Sequence, residues 1–351
     1  MKVKNIVLVL KTLSVIGAVV LAGCGGGSGG SGGSTAAGVR TQIGGAIQGQ
    51  ALNLTTAVTT VAGTAGTPGY KDAVGTAALF NHTFGITTDG ANLYLVEYSN
   101  HTVRKIVIAT GEVTTLAGST TAGFADGTGT AAQFNTPSGI TISNDGTSLY
   151  VSDTLNNAVR KVVIATGVVT TVATGFNRPH GITTDGTNLY VANTLGLNVV
   201  KVPLATGIPS SIASGITYPG GITTDGTNLF VVGQGDHKVY KIDIATNALS
   251  TVAGSGTAGY SDATGTAAQF NYPEGITTDG VNLYVADVQN QRVRKIVIAT
   301  GVVSTVAGQS TAGTTDGIGA LASFTEPIGI TTDGTNLFVE DFSGYTIRKI
   351  Q

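Results

Sequence analysis

Apolar and polar residues alternate along this chain in short bursts, and the stretch from Gly275 shows the pattern cleanly: GITTDGVNLYVADVQNQRVRKIVIATGVVSTVAG. It parses into four short strands, GITT, NLYVAD, RVRKIVI and VVSTVAG, joined by Asp-Gly, Gln-Asn and Ala-Thr-Gly connections with hairpin chemistry. The Gly-Ile-Thr start recurs at Gly85, Gly139, Gly181, Gly221, Gly275 and Gly329, at spacings of 54, 42, 40, 54 and 54 residues.

Six four-stranded units in tandem predict an all-β fold, a six-bladed β-propeller. The pairs Asp89-Gly90, Asp145-Gly146, Asp185-Gly186, Asp225-Gly226, Asp279-Gly280 and Asp333-Gly334 fill the first hairpin of each unit, Gly supplying the positive φ. Those aspartates read as turn residues, not as a ring of carboxylates. The last unit ends at Gln351 after its third strand, and LTTAVTTVAG over Leu54–Gly63 reads as the outer strand it lacks. The 31 residues from Leu54 to Phe84 and the 23 from Gly329 to Gln351 together make the long period of 54. The expectation is a ring closed by its N-terminal strand, because an open solenoid would need caps.

The units resemble NHL repeats in their Pro-x-Gly-Ile start, Leu-Tyr-Val-Ala-Asp strand and Asn-x-x-Val-Arg-Lys turn, over residues 52–351. Blades three and four depart from the pattern. Asn193 and Gly233 replace the Asp, Val200 and Tyr240 replace the Arg, and Pro203 and Pro209 interrupt strands. Pro209 falls in an outermost strand, where a missing donor is tolerated.

Composition narrows the function classes. Charged residues are 11% of the chain and the net charge is -2, which gives no electrostatic basis for a nucleic-acid partner. The single cysteine, Cys24, excludes an intramolecular disulfide and a cysteine-rich zinc site. A basic start, Met1-Lys2-Val3-Lys4, precedes an apolar stretch to Leu21 that is too short to cross a bilayer, as in a signal peptide. Leu21-Ala22-Gly23-Cys24 resembles a bacterial lipobox, which implies cleavage after residue 23, acylation of Cys24 and membrane attachment. Residues 24–51, Gly/Ser-rich at first, read as a flexible tether. The expected address is the cell envelope, at a bacterial outer membrane or cell surface.

Long connections precede Gly85, Gly139, Gly275 and Gly329, and short ones precede Gly181 and Gly221. The long ones are expected to form a continuous wall on one face, low over blades three and four. Each carries one acid, Asp72, Asp126, Asp262 or Asp316, read as an Asx-turn or helix N-cap. Calcium, the alternative, wants six to eight oxygens, more than one carboxylate per loop offers.

The repeats differ most where the innermost strands begin. There stand Phe84, Ser138, His180, Gly220, Glu274 and Ile328; two residues earlier stand His82, Thr136, Arg178, Tyr218, Tyr272 and Glu326. Of these, His82, Phe84, Arg178, His180, Tyr218, Tyr272, Glu274 and Glu326 are the candidate ligand-binding residues, rings for stacking beside a few charged groups. The NHL resemblance extends to the peptidyl-amidoglycolate lyase domain, a zinc enzyme with histidines near its axis. Here His101 and His237 fall in second hairpins, while His82 and His180 approach the mouth, one short of a three-His site. Glu274 could complete it, but blades one, three and five are expected to stand widely apart. No metal, cofactor or catalytic residue is assigned. No Gly-x-Ser-x-Gly elbow, phosphate loop or cysteine nucleophile occurs. The function expected is a binding or scaffolding propeller that engages a protein or glycan through its loop-bearing face. The alternative is a hydrolase or lyase at the axial mouth, with Glu274 and Glu326 as an acid–base pair.

Overall fold

Asp89 shows how each unit starts. Its carboxylate accepts hydrogen bonds from the N–H of Ala91 (2.8 Å) and Asn92 (2.6 Å) and from the Tyr94 hydroxyl (2.9 Å), closing the turn. Burial alone would raise this carboxyl, but hydrogen bonds from Asn92, Ala91 and Tyr94 outweigh it and hold it below its ordinary value. Asp185 and Asp279 repeat the arrangement with Tyr190 and Tyr284. The Asp-Gly aspartates are turn residues.

The computed structural model describes residues 41–43 and 45–351; the residues read as leader, lipidated Cys24 and tether, up to residue 40, lie outside the described residues. Six antiparallel blades are ordered from the axis outwards. Blade 1 runs Thr83–Thr88, Asn92–Glu97, Thr102–Val107, Val113–Gly118. Blades 2 to 6 open on Pro137–Ile142, Pro179–Thr184, Pro219–Thr224, Pro273–Thr278 and Pro327–Thr332. These innermost strands pack against one another around the ring, the sixth against the first. They approach so closely that a Cβ at Gly139 would run into the His180 carbonyl, and one at Gly275 into that of Ile328. That is why each unit begins with glycine.

Blade 6 is completed from the other end of the chain. Its third strand, Thr346–Ile350, pairs with Ala57–Ala62 in the register Ile350↔Val58 and Ile347↔Ala62. Across the seam Ala62, Phe338 and Ile347 share a core with Phe80, Ile86, Leu93 and Leu95 of blade 1. Ring closure by the N-terminal strand is thus observed.

Before that strand lies a feature absent from the sequence reading. Thr41–Ile43 and Ala46–Gln48 form a hairpin at the axis, on the face where the first turns lie. The Gly45 carbonyl accepts from the hydroxyls of Thr87 (2.9 Å, blade 1) and Thr331 (3.0 Å, blade 6). Gln48 donates to the Thr224 carbonyl (2.7 Å), and the Gly49 and Leu52 N–H groups donate to Asp279. Gly45 has φ +85° and its Cα faces the hydroxyls of Thr87 and Thr141, so no larger residue fits the tip. The stretch read as tether over residues 24–51 therefore becomes part of the propeller from Thr41 onwards. The hairpin stops one end of the axial channel.

The long loops do not rise as a wall. Each folds along the outermost strand of the blade it leads into: Val113 N–H donates to the Ala73 carbonyl (2.9 Å), and Gly127–Thr128 and Gly317–Ile318 add short fifth strands to blades 2 and 6. Their acids latch them down. Asp72, Asp126, Asp262 and Asp316 pair with the fully buried Arg104, Arg160, Arg294 and Arg348 at 2.6, 2.7, 2.6 and 2.7 Å. Each arginine also meets an acid of its second strand, Glu97, Asp153, Asp287 or Asp341, at 2.6, 2.8, 2.7 and 3.7 Å. Burial raises Asp153, Asp287 and Asp341, the last to about 6, against hydrogen bonds and the arginines that lower them. The loop acids are thus ion-pair partners of core arginines rather than Asx-turns or N-caps.

Blades 3 and 4 lack all three partners together. In blade 3 Pro203 removes the N–H that elsewhere bonds to the outermost strand, as Val107 bonds to the Glu112 carbonyl at 2.9 Å. That strand accordingly begins at Ser210, after Pro209.

Candidate functional site

With the hairpin stopping one end, the channel is a blind recess opening where the innermost strands begin. Its enclosed space is small, about 70 Å³, so a ligand would sit at the mouth with only a part of it entering the channel. Phe84, Ser138, His180, Glu274 and Ile328 ring it above the six Gly-Ile pairs.

The glycine packing brings three alternate blades into contact here. His180 Nδ1 of blade 3 lies 3.0 Å from Glu274 Oε1 of blade 5, and the Phe84 ring of blade 1 meets His180 edge-on with centroids 4.5 Å apart. The expectation that blades one, three and five stand too far apart to cooperate is overturned for these residues. The other Glu274 oxygen accepts from Gln234 of blade 4, which fits because Gly220 has no side chain there. Glu274 fixes the His180 ring through Nδ1 and directs Nε2 away from the pair.

The remaining candidates lie outside this recess. His82 stacks on Phe342 (4.4 Å) and meets Ser99 Oγ (2.9 Å); burial lowers its pKa, opposed by nearby Glu326. Glu326 accepts from Ser343 Oγ (2.5 Å) and does not line the recess, so it forms no acid–base pair with Glu274 there. Arg178, Tyr218 and Tyr272 are exposed beside the mouth, each held with φ near +50° (51°, 50° and 53°). His101 and His237 serve the framework, each Nδ1 accepting from the backbone of the next blade's loop, Thr136 (3.0 Å) and Tyr272 (3.1 Å). Among the described residues no group of three or more His, Cys, Asp or Glu is placed to hold a metal ion. Sequence reasoning missed Gln234; its cue was the neighbouring Gly220, the one copy at that position without a side chain.

One buried acid near the mouth has no evident partner. Glu340, fully buried in the second strand of blade 6, takes the place of Val96, Ser152, Ala192, Val232 and Ala286. Its carboxyl lies against Gly329, and neither oxygen has a hydrogen-bond partner. Burial first, then the charge of Glu97, raises its pKa well above the ordinary value. A raised folded-state pKa gives stability that is full below the unfolded value near 4.3 and is lost as pH rises through the folded one. Glu340→Gln is therefore expected to stabilise the protein by about 1–3 kcal/mol at pH 8. At pH 4 the difference from wild type should vanish. Melting both proteins at the two pH values checks this; equal Tm at pH 8 contradicts it.

No family model matches the chain. Over 101 residues it is 38% identical to SUPPRESSOR OF QUENCHING 1, chloroplastic, of Arabidopsis thaliana, covering 28% of this chain and 9% of that protein. Over 104 residues it is 34% identical to NHL repeat-containing protein 2 of Homo sapiens, covering 29% of this chain and 14% of that protein. The aligned stretch is thus a small part of each relative. Among solved structures, an auxiliary nutrient binding protein of Bacteroides thetaiotaomicron superposes with TM-score 0.69 at 21% identity, covering 84% of this chain and 76% of that one. Virginiamycin B lyase from Staphylococcus aureus superposes with TM-score 0.51 at 15% identity, covering 77% and 95%. At these identities the structural likeness is one of fold. The chain is an NHL-repeat, six-bladed β-propeller.

Proposed function

We propose that this propeller is a cell-envelope binding protein that takes a sugar, or the sugar end of a glycan, at the mouth of its axial recess. The observation that carries the reading is the convergence of Phe84, His180 and Glu274 from three blades over a pocket stopped from behind. An aromatic ring beside an oriented imidazole–carboxylate pair offers a stacking face, a donor and acceptors to a polyhydroxylated ring. Tyr218 and Tyr272 extend the aromatic surface outside the mouth. Solved neighbours named as nutrient binding proteins support a binding role, by analogy of fold. A panel of mono- and oligosaccharides, titrated by calorimetry, should yield a ligand that His180→Ala and Glu274→Ala each weaken by about 1–3 kcal/mol with folding unchanged. Full affinity in both variants would remove the recess from consideration.

The His180–Glu274 pair also favours a second reading, a hydrolase or lyase in which His180 Nε2 moves a proton. A solved neighbour is named a lyase. Turnover of the bound ligand, lost in His180→Ala, would select this reading over simple binding.

The lipobox-like Leu21-Ala22-Gly23-Cys24 supports attachment to a bacterial outer membrane or cell surface through acylated Cys24. Cys24→Ser should move the protein from the membrane to the soluble fraction. A membrane-bound variant, with no acyl mass on wild type, would end this proposal.

A further inference from the structure

Four of the six blades have their outer edge closed in one way. In blade 1 the Val113 N–H donates to the Ala73 carbonyl (2.9 Å) and the Thr115 N–H to Asp72 Oδ2 (3.0 Å). Blade 5 repeats this with Val303 on Ala263 (2.8 Å) and Thr305 on Asp262 (3.1 Å). In blades 2 and 6 Thr171 and Thr60 meet Asp126 (3.2 Å) and Asp316 (3.1 Å) in the same way. The covering segments read Asp-Ala-Val-Gly, Asp-Gly-Thr-Gly, Asp-Ala-Thr-Gly and Asp-Gly-Ile-Gly. Beneath them Val58, Val113, Val169 and Val303 are 1, 1, 1 and 3% exposed.

Blade 3 closes its edge differently, since Pro209 stands where the others offer that first N–H. Blade 4 does neither. Its outermost strand, Leu249–Ala253, keeps the register of the covered blades: Ile242↔Leu249 and Tyr240↔Thr251 match Ile106↔Val113 and Arg104↔Thr115. The N–H groups of Leu249 and Thr251 therefore point outwards, and this strand is the edge of its sheet. Leu249, in the place of the buried valines, is 38% exposed.

We propose that this edge, Leu249–Thr251, docks an extended segment of another polypeptide in which an aspartate is followed by a small apolar residue. The four closed blades define the occupant. Its carboxylate caps the Thr251 N–H and hydroxyl, the next carbonyl accepts from the Leu249 N–H, and the small side chain covers Leu249. Tyr240 replaces the arginine and bonds instead to Asp236 (3.0 Å), so the incoming acid lacks a guanidinium. Docking is accordingly weaker than the covers within the chain, and reversible.

The probe is a capped peptide with the sequence of residues 258–268, AGYSDATGTAA, titrated into the full propeller while its backbone amides are followed by NMR. Saturable shifts centred on Leu249–Thr251 are expected. Replacing the peptide's aspartate by asparagine should weaken binding about tenfold. Leu249→Pro should abolish binding with Tm unchanged, because proline already occupies that place in blade 3. Should that variant melt early, Leu249→Glu sets like charge against the peptide's acid and serves instead. No saturable shift at millimolar peptide, or undiminished binding by Leu249→Glu, overturns the proposal.

Discussion

A chain shortened to begin at Thr64 is expected to lose its cooperative unfolding transition and to aggregate. Such a chain lacks Ala57–Ala62, which supplies the fourth strand of blade 6 and the buried Val58 and Ala62. Val58 alone contributes roughly 1.5–3 kcal/mol of burial. The third strand, Thr346–Ile350, becomes an unpaired edge that uncovers its own Ile347 and Ile350. Together these losses approach the roughly 5–15 kcal/mol that holds a native domain together. A chain beginning at Ala51 separates ring closure from the axial hairpin. It loses the side-chain hydrogen bonds to the Gly45 carbonyl and from Gln48, each about 1 kcal/mol net, but keeps the closing strand. It should melt cooperatively at a modestly lower temperature. Equal melting curves for the two truncations would contradict closure by this strand.

Arg294→Leu is expected to cost about 3–5 kcal/mol, because it leaves a buried acid uncompensated. Arg294 is fully buried and joins Asp287, also fully buried, to Asp262 of the loop. The loop acid then releases its hold on the Thr305 N–H as well. Adding Asp287→Asn should recover part of the loss by removing the stranded charge. Lys295→Ala, one residue on and partly exposed, should change stability by no more than about 0.5 kcal/mol. Chemical denaturation of the three variants measures these differences; a loss under about 1 kcal/mol for Arg294→Leu would show the network to be dispensable.

Much of this was legible in the residues. Gly-Ile-Thr recurs because six innermost strands pack backbone against backbone, and Asp-Gly recurs because one carboxylate closes each first turn. The closing strand announced itself as a fourth strand without a blade. The arginine networks were written in the sequence as well. Arginine in the third strand, acid ending the second and acid in the long loop occur in the same four units and are missing from the same two. Loop acid and arginine are 32–34 residues apart in different elements, and neither spacing nor alternation joins them. The axial hairpin gave no pattern to find. TQIGGAIQ is short and glycine-rich, and its anchors include main-chain carbonyls and threonine hydroxyls that carry no periodic signal. The mouth was half legible. Variation among the repeats picked out Phe84, His180 and Glu274, but contact between alternate blades follows from how narrow the glycine packing makes the axis.

A sugar is proposed to bind at the mouth of the recess, where those three residues meet. Its walls carry Ile86, Ile140, Ile182, Ile222, Ile276 and Ile330, one from each blade. Methyl-labelled isoleucine spectra recorded during titration with a bound sugar report whether it does. Shifts concentrated in these six methyls, and abolished by Phe84→Ala with Glu274→Ala, are expected. Shifts confined to isoleucines of the outer strands, such as Ile212, with the axial six unmoved, would contradict it.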